Sequence, residues 1–408
     1  MSAAADGGAD AADAAAAAAD DDEFAPRSIL VTGGAGFIGA HVVNRLVAAL
    51  PATPLLVLDK LDCCASLANL SPATTSASNF KFVKGDVQSA DLVAHILREA
   101  KVDTVLHFAA QTHVDNSFGN SLAFTLSNAY GTHVLLEACR LYGGVKRFVN
   151  VSTDEVYGET SLGLDSGLDE RARLEPTNPY SAAKAGAELM ARAYHVSYGL
   201  PVITTRGNNV YGPGQFPEKL IPKFLIRARR GLDLPVHGDG AAARSYLYVA
   251  DVAEAFFTVL ARGAVGEVYN VGTRRERSVL DVAHDVCALA GADASSKIVH
   301  VRDRAFNDRR YFICDKKLAA LGWRESTPWA EGLAATAAWY EATPASHWDN
   351  GDAEAALAPH PALQEGKAAE KAGAGANGKA ADAFVDIVAV SRKVSRRVSA
   401  LYDTGADA

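Results

Sequence analysis

Tyr180 and Lys184 place a phenol and an ammonium at positions i and i+4, which share a face when the chain is helical. An ammonium beside a phenol favours phenolate and pulls its pKa below the ordinary value of about 10. Tyr180 is therefore a candidate base toward an alcohol, and Lys184 is also free to hold a ribose. This spacing is common in helices, so its weight comes from what precedes it. Ser152-Thr153-Asp154-Glu155-Val156-Tyr157-Gly158 follows the apolar run 147–151, and ligands of parallel sheets bind where such strands end. The adjacent carboxylates Asp154 and Glu155 fit either a solvated loop or helix cap, or an acid/base pair whose surroundings push the two pKa values apart. The motif alone leaves both open.

A second group of residues suits a dinucleotide. Gly33, Gly36 and Gly39 stand in Val31-Thr32-Gly33-Gly34-Ala35-Gly36-Phe37-Ile38-Gly39. The first glycine permits a tight turn, the next lets backbone approach a pyrophosphate, and the last lets a helix pack close to a strand. The helix start then offers N–H groups and a positive dipole end to phosphates. Asp59 closes the next apolar run, about 20 positions beyond the last glycine, where a carboxylate binds a ribose 2′-OH. It would repel a 2′-phosphate, so NAD is expected rather than NADP.

The elements that must hold these residues alternate. Apolar runs at 28–32, 55–58, 80–83, 104–108 and 147–151 are separated by helical stretches at 37–50, 91–100 and 125–141. Short buried strands alternating with helices predict an α/β fold, a doubly wound parallel sheet of Rossmann type covered on both faces. This domain is expected over 27–210. Pro213, Pro217, Pro222 and Pro235 then break the pattern, and 211–342 reads as a smaller mixed α+β substrate-binding lobe, with some chain crossing between the lobes. Residues 1–26 are Ala/Asp-rich and predict disorder. Residues 343–408 read as a low-complexity tail. Its stretch 384–402 carries Arg392, Lys393, Arg396 and Arg397 and suits a basic amphipathic helix on a partner or membrane surface, a helix packed on its own protein, or a frayed end.

Composition narrows the class. The 408 residues are 49% hydrophobic and 22% charged, with net charge −8, which fits a soluble globular protein and argues against a nucleic-acid partner. The five cysteines, Cys63, Cys64, Cys139, Cys287 and Cys314, match no zinc or redox spacing; reduced thiols and no metal are expected. No run is long enough to span a bilayer, and the N-terminus lacks the basic residues of a secretory or organellar leader, so a cytoplasmic location follows by elimination.

At this point the residues resemble a known family, the nucleotide-diphosphate-glucose 4,6-dehydratases of the extended short-chain dehydrogenase/reductase superfamily. The run Thr153-Asp154-Glu155-Val156-Tyr157-Gly158 is similar to the family signature, and segments 108–115, 211–213, 216–222, 244–248, 269–272 and 308–311 agree with it. Segments 116–121 and 205–210 look most like the dehydratase half of plant UDP-rhamnose synthases. The resemblance covers 27–340. It implies that Tyr180 takes the C4 hydroxyl proton, Glu155 removes the C5 proton, Asp154 donates to the departing C6 hydroxyl, and Thr153 bonds the 4-oxygen. It implies that Phe37, Ile38, Lys60, Asp86, Val87, Phe108, Ala109, Ala110 and Ser127 lie along NAD. On the substrate side it implies Thr112, Asp115, Asn209, Lys219, Leu220, Arg244, Asn270, Arg304 and Asp308, the arginines suiting a diphosphate because guanidinium donates in pairs. It further implies a nucleotide-sugar substrate, UDP-glucose first, and a homodimer.

The chain departs from the family at Asn307, where bacterial dTDP-glucose enzymes have a histidine, so the nucleobase stays open between uracil and thymine. Nothing corresponds to the reductase/epimerase half of the plant enzymes, so a separate enzyme is expected downstream. UDP-sugar epimerases and decarboxylases share the glycines, Tyr180 and Lys184, but epimerases lack the carboxylate pair and decarboxylases have serine in place of Asp154. A sensor that merely binds NAD would not need Tyr180, Lys184, Asp154 and Glu155 together.

Overall fold

Runs of four to seven residues rich in Val, Ile and Leu are too short for helices and apolar on both faces, which suits strands covered from both sides. The computed structural model describes residues 23–303, 308–348 and 353–357, apart from the side chains at 115, 116 and 345. The first six strands are β1 (Ile29–Thr32), β2 (Leu55–Asp59), β3 (Phe80–Lys84), β4 (Thr104–His107), β5 (Arg147–Thr153) and β6 (Val202–Gly207). In the second lobe follow β7 (Asn209–Tyr211), β8 (Leu234–His237) and β9 (Ala243–Tyr248). The chain then returns, and β10 (Val268–Val271) lies beside β6. The resulting seven-stranded sheet has the order β10-β6-β5-β4-β1-β2-β3, with every pairing parallel. Strand order reverses at β1, between β2 and β4, and ligands bind in the crevice such a reversal opens at the strand ends.

One face of this sheet is covered by the helix Phe37–Ala49 packed on Val249–Arg262, with Val43, Leu46, Val252, Phe256 and Val259 in a common core. The other face is covered by Ala90–Glu99, Gly131–Tyr142 and Pro179–Tyr198, whose Val93, Leu97, Leu135, Leu136 and Ala191 pack with Phe148. The second lobe has its own core, built on Phe224, Val236, Val282, Leu333 and Trp348. Around it, β9 pairs with β7, with β11 (Glu276–Ser278) and with β13 (Arg310–Tyr311), while β12 (Ile298–Val301) pairs with β8. The lobes therefore interleave: residues 249–271 follow the expected boundary near 210 yet return to the first sheet.

Three sequence expectations are revised. The packed chain starts before Arg27: the Phe24 N–H donates to Ala261 O at 2.9 Å, and its ring lies 4.2 Å from the Arg147 guanidinium. The second lobe extends past 342, because Trp348 is 4% exposed, packs against Phe216 and Tyr340, and is followed by the helix Ala353–Leu357. The helical stretch from 125 starts as a π-helix, Thr125–Tyr130, before the α-helix Gly131–Tyr142; such wide turns are frequent at functional sites. No described helix is long and apolar enough to cross a membrane. Residues 1–22 and 384–402 lie outside the described residues.

If 343–357 belong to the folded lobe, Trp348→Ala removes a buried indole and should lower unfolding stability by about 3 kcal/mol, read as a shift in denaturant midpoint. A dispensable tail would leave the midpoint unchanged.

Candidate active site

The crevice at the strand reversal is built by close backbone contact. Gly33 follows β1 with φ +70°, and a Cβ there would lie 2.5 Å from Ala109 N, in the chain that follows β4. A Cβ on Gly39 would lie 2.2 Å from the Gly33 carbonyl oxygen. Turn, strand end and helix start therefore meet without room for a side chain. Gly36 is the N-cap of the helix Phe37–Ala49 and supplies no side-chain cap, which leaves the first-turn N–H groups for an anion. Asp59, at the end of β2, accepts Ala35 N at 3.0 Å and Leu61 N at 2.8 Å. Burial raises its pKa, and these two N–H groups oppose the rise. Beneath the crevice His107 bridges Thr32 Oγ1 at 2.7 Å and Thr132 Oγ1 at 2.8 Å; burial holds its pKa down at about 3, so it is a neutral strut.

Gly33, Gly36, Phe37, Ile38, Gly39, Asp59, Lys60, Asp86, Val87, Phe108, Ala109, Ala110 and Ser127 all line one cavity of about 330 Å³. A tight side-chain-free turn, a helix start and an inward carboxylate suit a dinucleotide with an unmodified ribose, so the residues present fit NAD.

Thr153, Asp154, Glu155, Tyr180 and Lys184 line the same cavity. β5 ends at Thr153, and a short 3₁₀ turn, Asp154–Tyr157, follows. Thr153 Oγ1 accepts Glu155 N at 3.3 Å and donates to Asp154 Oδ1 at 3.2 Å. Asp154 is 2% exposed, and its Oδ2 accepts Asn208 Nδ2 at 2.7 Å. Glu155 Oε2 accepts Asn178 Nδ2 at 3.1 Å. The other end of the Asn178 amide caps the helix Pro179–Tyr198, accepting Ser181 N at 2.8 Å. That helix places Tyr180 and Lys184 on its buried face, as their spacing predicts.

Burial, then the neighbouring Glu155 charge, pushes Asp154 up to about 7. Burial also raises Glu155, against the Asn178 hydrogen bond and the charges of Arg244 and Lys219. The phenol behaves differently from the sequence expectation. Burial, then the Glu155 charge, raises the Tyr180 pKa well above its ordinary range, with the Thr153 hydroxyl opposing. Lys184 is itself buried, which lowers its pKa to about 8, and its Nζ donates to Val151 O. Desolvation sets the direction here, and the charges that act on the phenol are those of Glu155 and Asp154.

The substrate-side expectations divide. Thr112, Asn209 and Lys219 line the cavity, with Lys219 Nζ donating to Thr112 O at 2.8 Å. Leu220 instead packs toward the second-lobe core. Asn270 is fully buried away from the cavity: its Nδ2 donates to Leu168 O at 3.0 Å and Cys314 O at 3.1 Å, and its Oδ1 accepts Tyr157 Oη at 2.8 Å. It is a bracket between loops. Arg244 lies over the Tyr311 ring at 4.6 Å and donates to Asp308 O at 2.8 Å; it acts on the carboxylates through its charge. Asp308 accepts Thr177 Oγ1 at 2.6 Å and the Tyr311 hydroxyl. The Asp115 side chain, Arg304 and Asn307 lie outside the described residues. Sequence reading missed Asn178 and Asn208, the amides that hold the two carboxylates; Ser152, at the strand end beside Thr153, lies in the cavity wall with a buried Oγ that has no partner among the described residues.

Fold and site together define an extended short-chain dehydrogenase/reductase: a dinucleotide crevice joined to a tyrosine, a lysine and two acids. Residues 30–336 match the model of the GDP-mannose 4,6 dehydratase family, and the chain belongs to that family of NAD-dependent lyases. It is 59% identical over 340 residues to a trifunctional UDP-glucose 4,6-dehydratase/UDP-4-keto-6-deoxy-D-glucose 3,5-epimerase/UDP-4-keto-L-rhamnose-reductase of Arabidopsis thaliana, covering 83% of this chain and 51% of the plant protein. The chain thus spans about half the length of the plant relatives it matches. It is 46% identical to the dTDP-D-glucose 4,6-dehydratase of Mus musculus, covering 83% of this chain and 94% of the mouse protein. Among solved structures, the Streptomyces venezuelae dTDP-glucose 4,6-dehydratase with NAD bound matches with a TM-score of 0.73 and 42% identity, covering 77% of this chain and 97% of that one.

Gly39→Ala forces a methyl group onto the Gly33 carbonyl. The purified variant should retain roughly tenfold less NAD than wild type, a loss equal to about one hydrogen bond's worth of affinity or more, measured by nucleotide release and absorbance. Full retention would mean that the glycine contact does not shape the cofactor site.

Proposed function

We propose that the chain is a UDP-glucose 4,6-dehydratase, converting UDP-glucose to UDP-4-keto-6-deoxy-glucose and water on the route to UDP-rhamnose. The observation that carries this reading is the pair of buried Asp154 and half-buried Glu155 beside Tyr180 in one cavity. An elimination needs one group to take a proton and another to give one, whereas an epimerisation at C4 needs neither carboxylate.

NAD, held by the glycine turn and Asp59, supplies a hydride acceptor and donor. Burial raises the Tyr180 phenol, so it must first ionise, which the positive charge of NAD+ beside it would favour; it then takes the proton of the C4 hydroxyl as C4 becomes a ketone, and Thr153 holds the 4-oxygen. The ketone acidifies the C5 hydrogen, and Glu155 takes that proton. Asp154 carries its own proton near neutrality because burial raises its pKa to about 7, and it gives this proton to the departing C6 hydroxyl, which leaves as water; the hydride taken from C4 would then return to C6 while Glu155 gives its proton back to C5, completing the 4-keto-6-deoxy sugar. Asn178 holds Glu155 with its amide nitrogen and caps the helix that carries Tyr180, while Lys184 donates to Val151 O from the same helix face. The stronger identity to the plant relatives supports uracil over thymine. We also place the chain in the cytoplasm as a homodimer, joined through Gly131–Tyr142 and Pro179–Tyr198, where Leu141, Leu189, Val196 and Tyr198 are exposed.

The direct test incubates the protein separately with UDP-glucose and dTDP-glucose and follows the loss of one water by mass spectrometry. Water loss from UDP-glucose supports the proposal; turnover of dTDP-glucose alone overturns the base; no loss from either, with NAD bound, sinks the dehydratase reading. The acid role carries a sign. Asp154 is protonated below its pKa of about 7, so the dehydration rate should fall as pH rises through that value. Asp154→Asn should slow dehydration by about 10²–10⁴-fold and abolish this alkaline fall; an unaltered pH profile would remove Asp154 from the acid role.

A further inference from the structure

The loop after β2 carries two adjacent thiols at the mouth of the dinucleotide cavity. Cys63 is exposed and Cys64 half-buried; their Sγ atoms are 3.4 Å apart. Cys64 lines the cavity with Asp62 and Ala65, while Cys63 faces outward. The same loop is tied to both halves of the cofactor cradle. Just before the pair, Leu61 N donates to Asp59 Oδ1 at 2.8 Å. Just after it, Ser66 N donates to the carbonyl of Ala35, in the glycine turn, at 3.0 Å. Cys64 also packs against the second-lobe core, and Glu218 and Lys219 of that lobe act on it electrostatically. The described part of the chain holds three more cysteines, all buried singly.

We propose that Cys63 and Cys64 form a reversible dithiol switch, which closes to a disulfide by exchange with a small-molecule disulfide and thereby loosens the NAD site. The proposal rests on the cofactor reading of the cavity. In the first step the Cys63 thiolate attacks one sulfur of the small disulfide and expels a thiolate, giving a mixed disulfide. In the second step the Cys64 thiol loses its proton, attacks the Cys63 sulfur and expels the other small thiolate. Two protein thiols are oxidised to one S–S bond, the small disulfide is reduced to two thiols, and the protons go to the two leaving groups.

The geometry assigns the order of attack. Cys63 is the accessible sulfur, and the hydrogen bond from Cys64 holds its pKa below the ordinary thiol value. Cys64, raised by that same bond and by burial, acts second, once a mixed disulfide is beside it. A bonded pair needs its sulfurs at about 2.05 Å and usually has Cα atoms more than about 4.4 Å apart, while adjacent Cα atoms across a trans peptide are only about 3.8 Å apart. Closing the pair therefore requires the backbone of the loop to turn. That turn pulls on Leu61 and Ser66, the two donors that hold Asp59 and the glycine turn in register. The exposed position lets a dithiol reductant reopen the bond.

The test treats the NAD-loaded full chain with oxidised glutathione, maps the peptide containing Cys63 and Cys64 by mass spectrometry, and measures NAD release in parallel. The expected result is a peptide lighter by two hydrogens, NAD release faster by roughly tenfold, as loss of one such hydrogen bond would give, and reversal by dithiothreitol. Cys63→Ser, which alters an outward-facing residue, should keep the reduced protein's NAD retention and remain insensitive to the oxidant. A stable glutathione adduct at Cys63 without the internal bond would overturn the proposal, as would an internal bond that leaves NAD release unchanged. The mass shift is read without any sugar nucleotide, so its failure and the failure of the dehydratase reading are separately visible.

Discussion

Two carboxylates on consecutive residues, Asp154 buried and Glu155 half-buried, are the constraint to which the rest of the site responds. An ionised carboxylate out of water is strongly disfavoured unless it is hydrogen-bonded or paired, and Asp154 and Glu155 also repel each other. Each is met by a side-chain amide, Asn208 for Asp154 and Asn178 for Glu155. Arg244 and Lys219 add positive charge from the second lobe. The acids stand at the end of the first sheet and part of their compensation comes from the second lobe, so the site needs both lobes. A pair that is only partly compensated keeps one proton near neutrality, and that proton is the one an elimination consumes.

Beneath the pair lies a second polar layer that never meets the cavity. Arg206 pairs with Glu188 and donates to Tyr157 Oη at 2.6 Å; Tyr157 in turn donates to Asn270. Tyr157 closes the turn that carries the acids. Buried ion pairs contribute little net stability but strongly restrict geometry once formed, because losing one partner strands a charge. The arrangement fixes the turn from below while the amides fix the carboxylates from above.

The cofactor half was legible in the sequence because its determinants are local. The glycine spacing, the run ending at Asp59 and the strand–helix alternation are each set within a few residues, and every expected cofactor residue lines the cavity. The substrate half was less legible because it depends on contacts between distant segments. Asn270 matched by sequence position, yet Tyr157, Leu168 and Cys314 consume its hydrogen-bonding groups. Asn178 and Asn208 were not singled out, since nothing near them in sequence reveals which carboxylates they face. Tyr180 and Lys184 were found by spacing, but the direction of the phenol's pKa follows burial, which spacing does not report. The ends of the fold were misplaced because Phe24 and Trp348 sit alone in low-complexity surroundings, where composition outweighs a single aromatic anchor.

Asn178 spends one side chain on two tasks: its oxygen caps the helix that carries Tyr180 and Lys184, and its nitrogen holds Glu155. Tyr180 and Glu155, to which we assign the two sugar protons, therefore share one mechanical origin. The single amide links the carboxylate on the β5 turn to the helix start that carries the phenol, so the spacing of the two groups is set by one residue and not by two independent anchors.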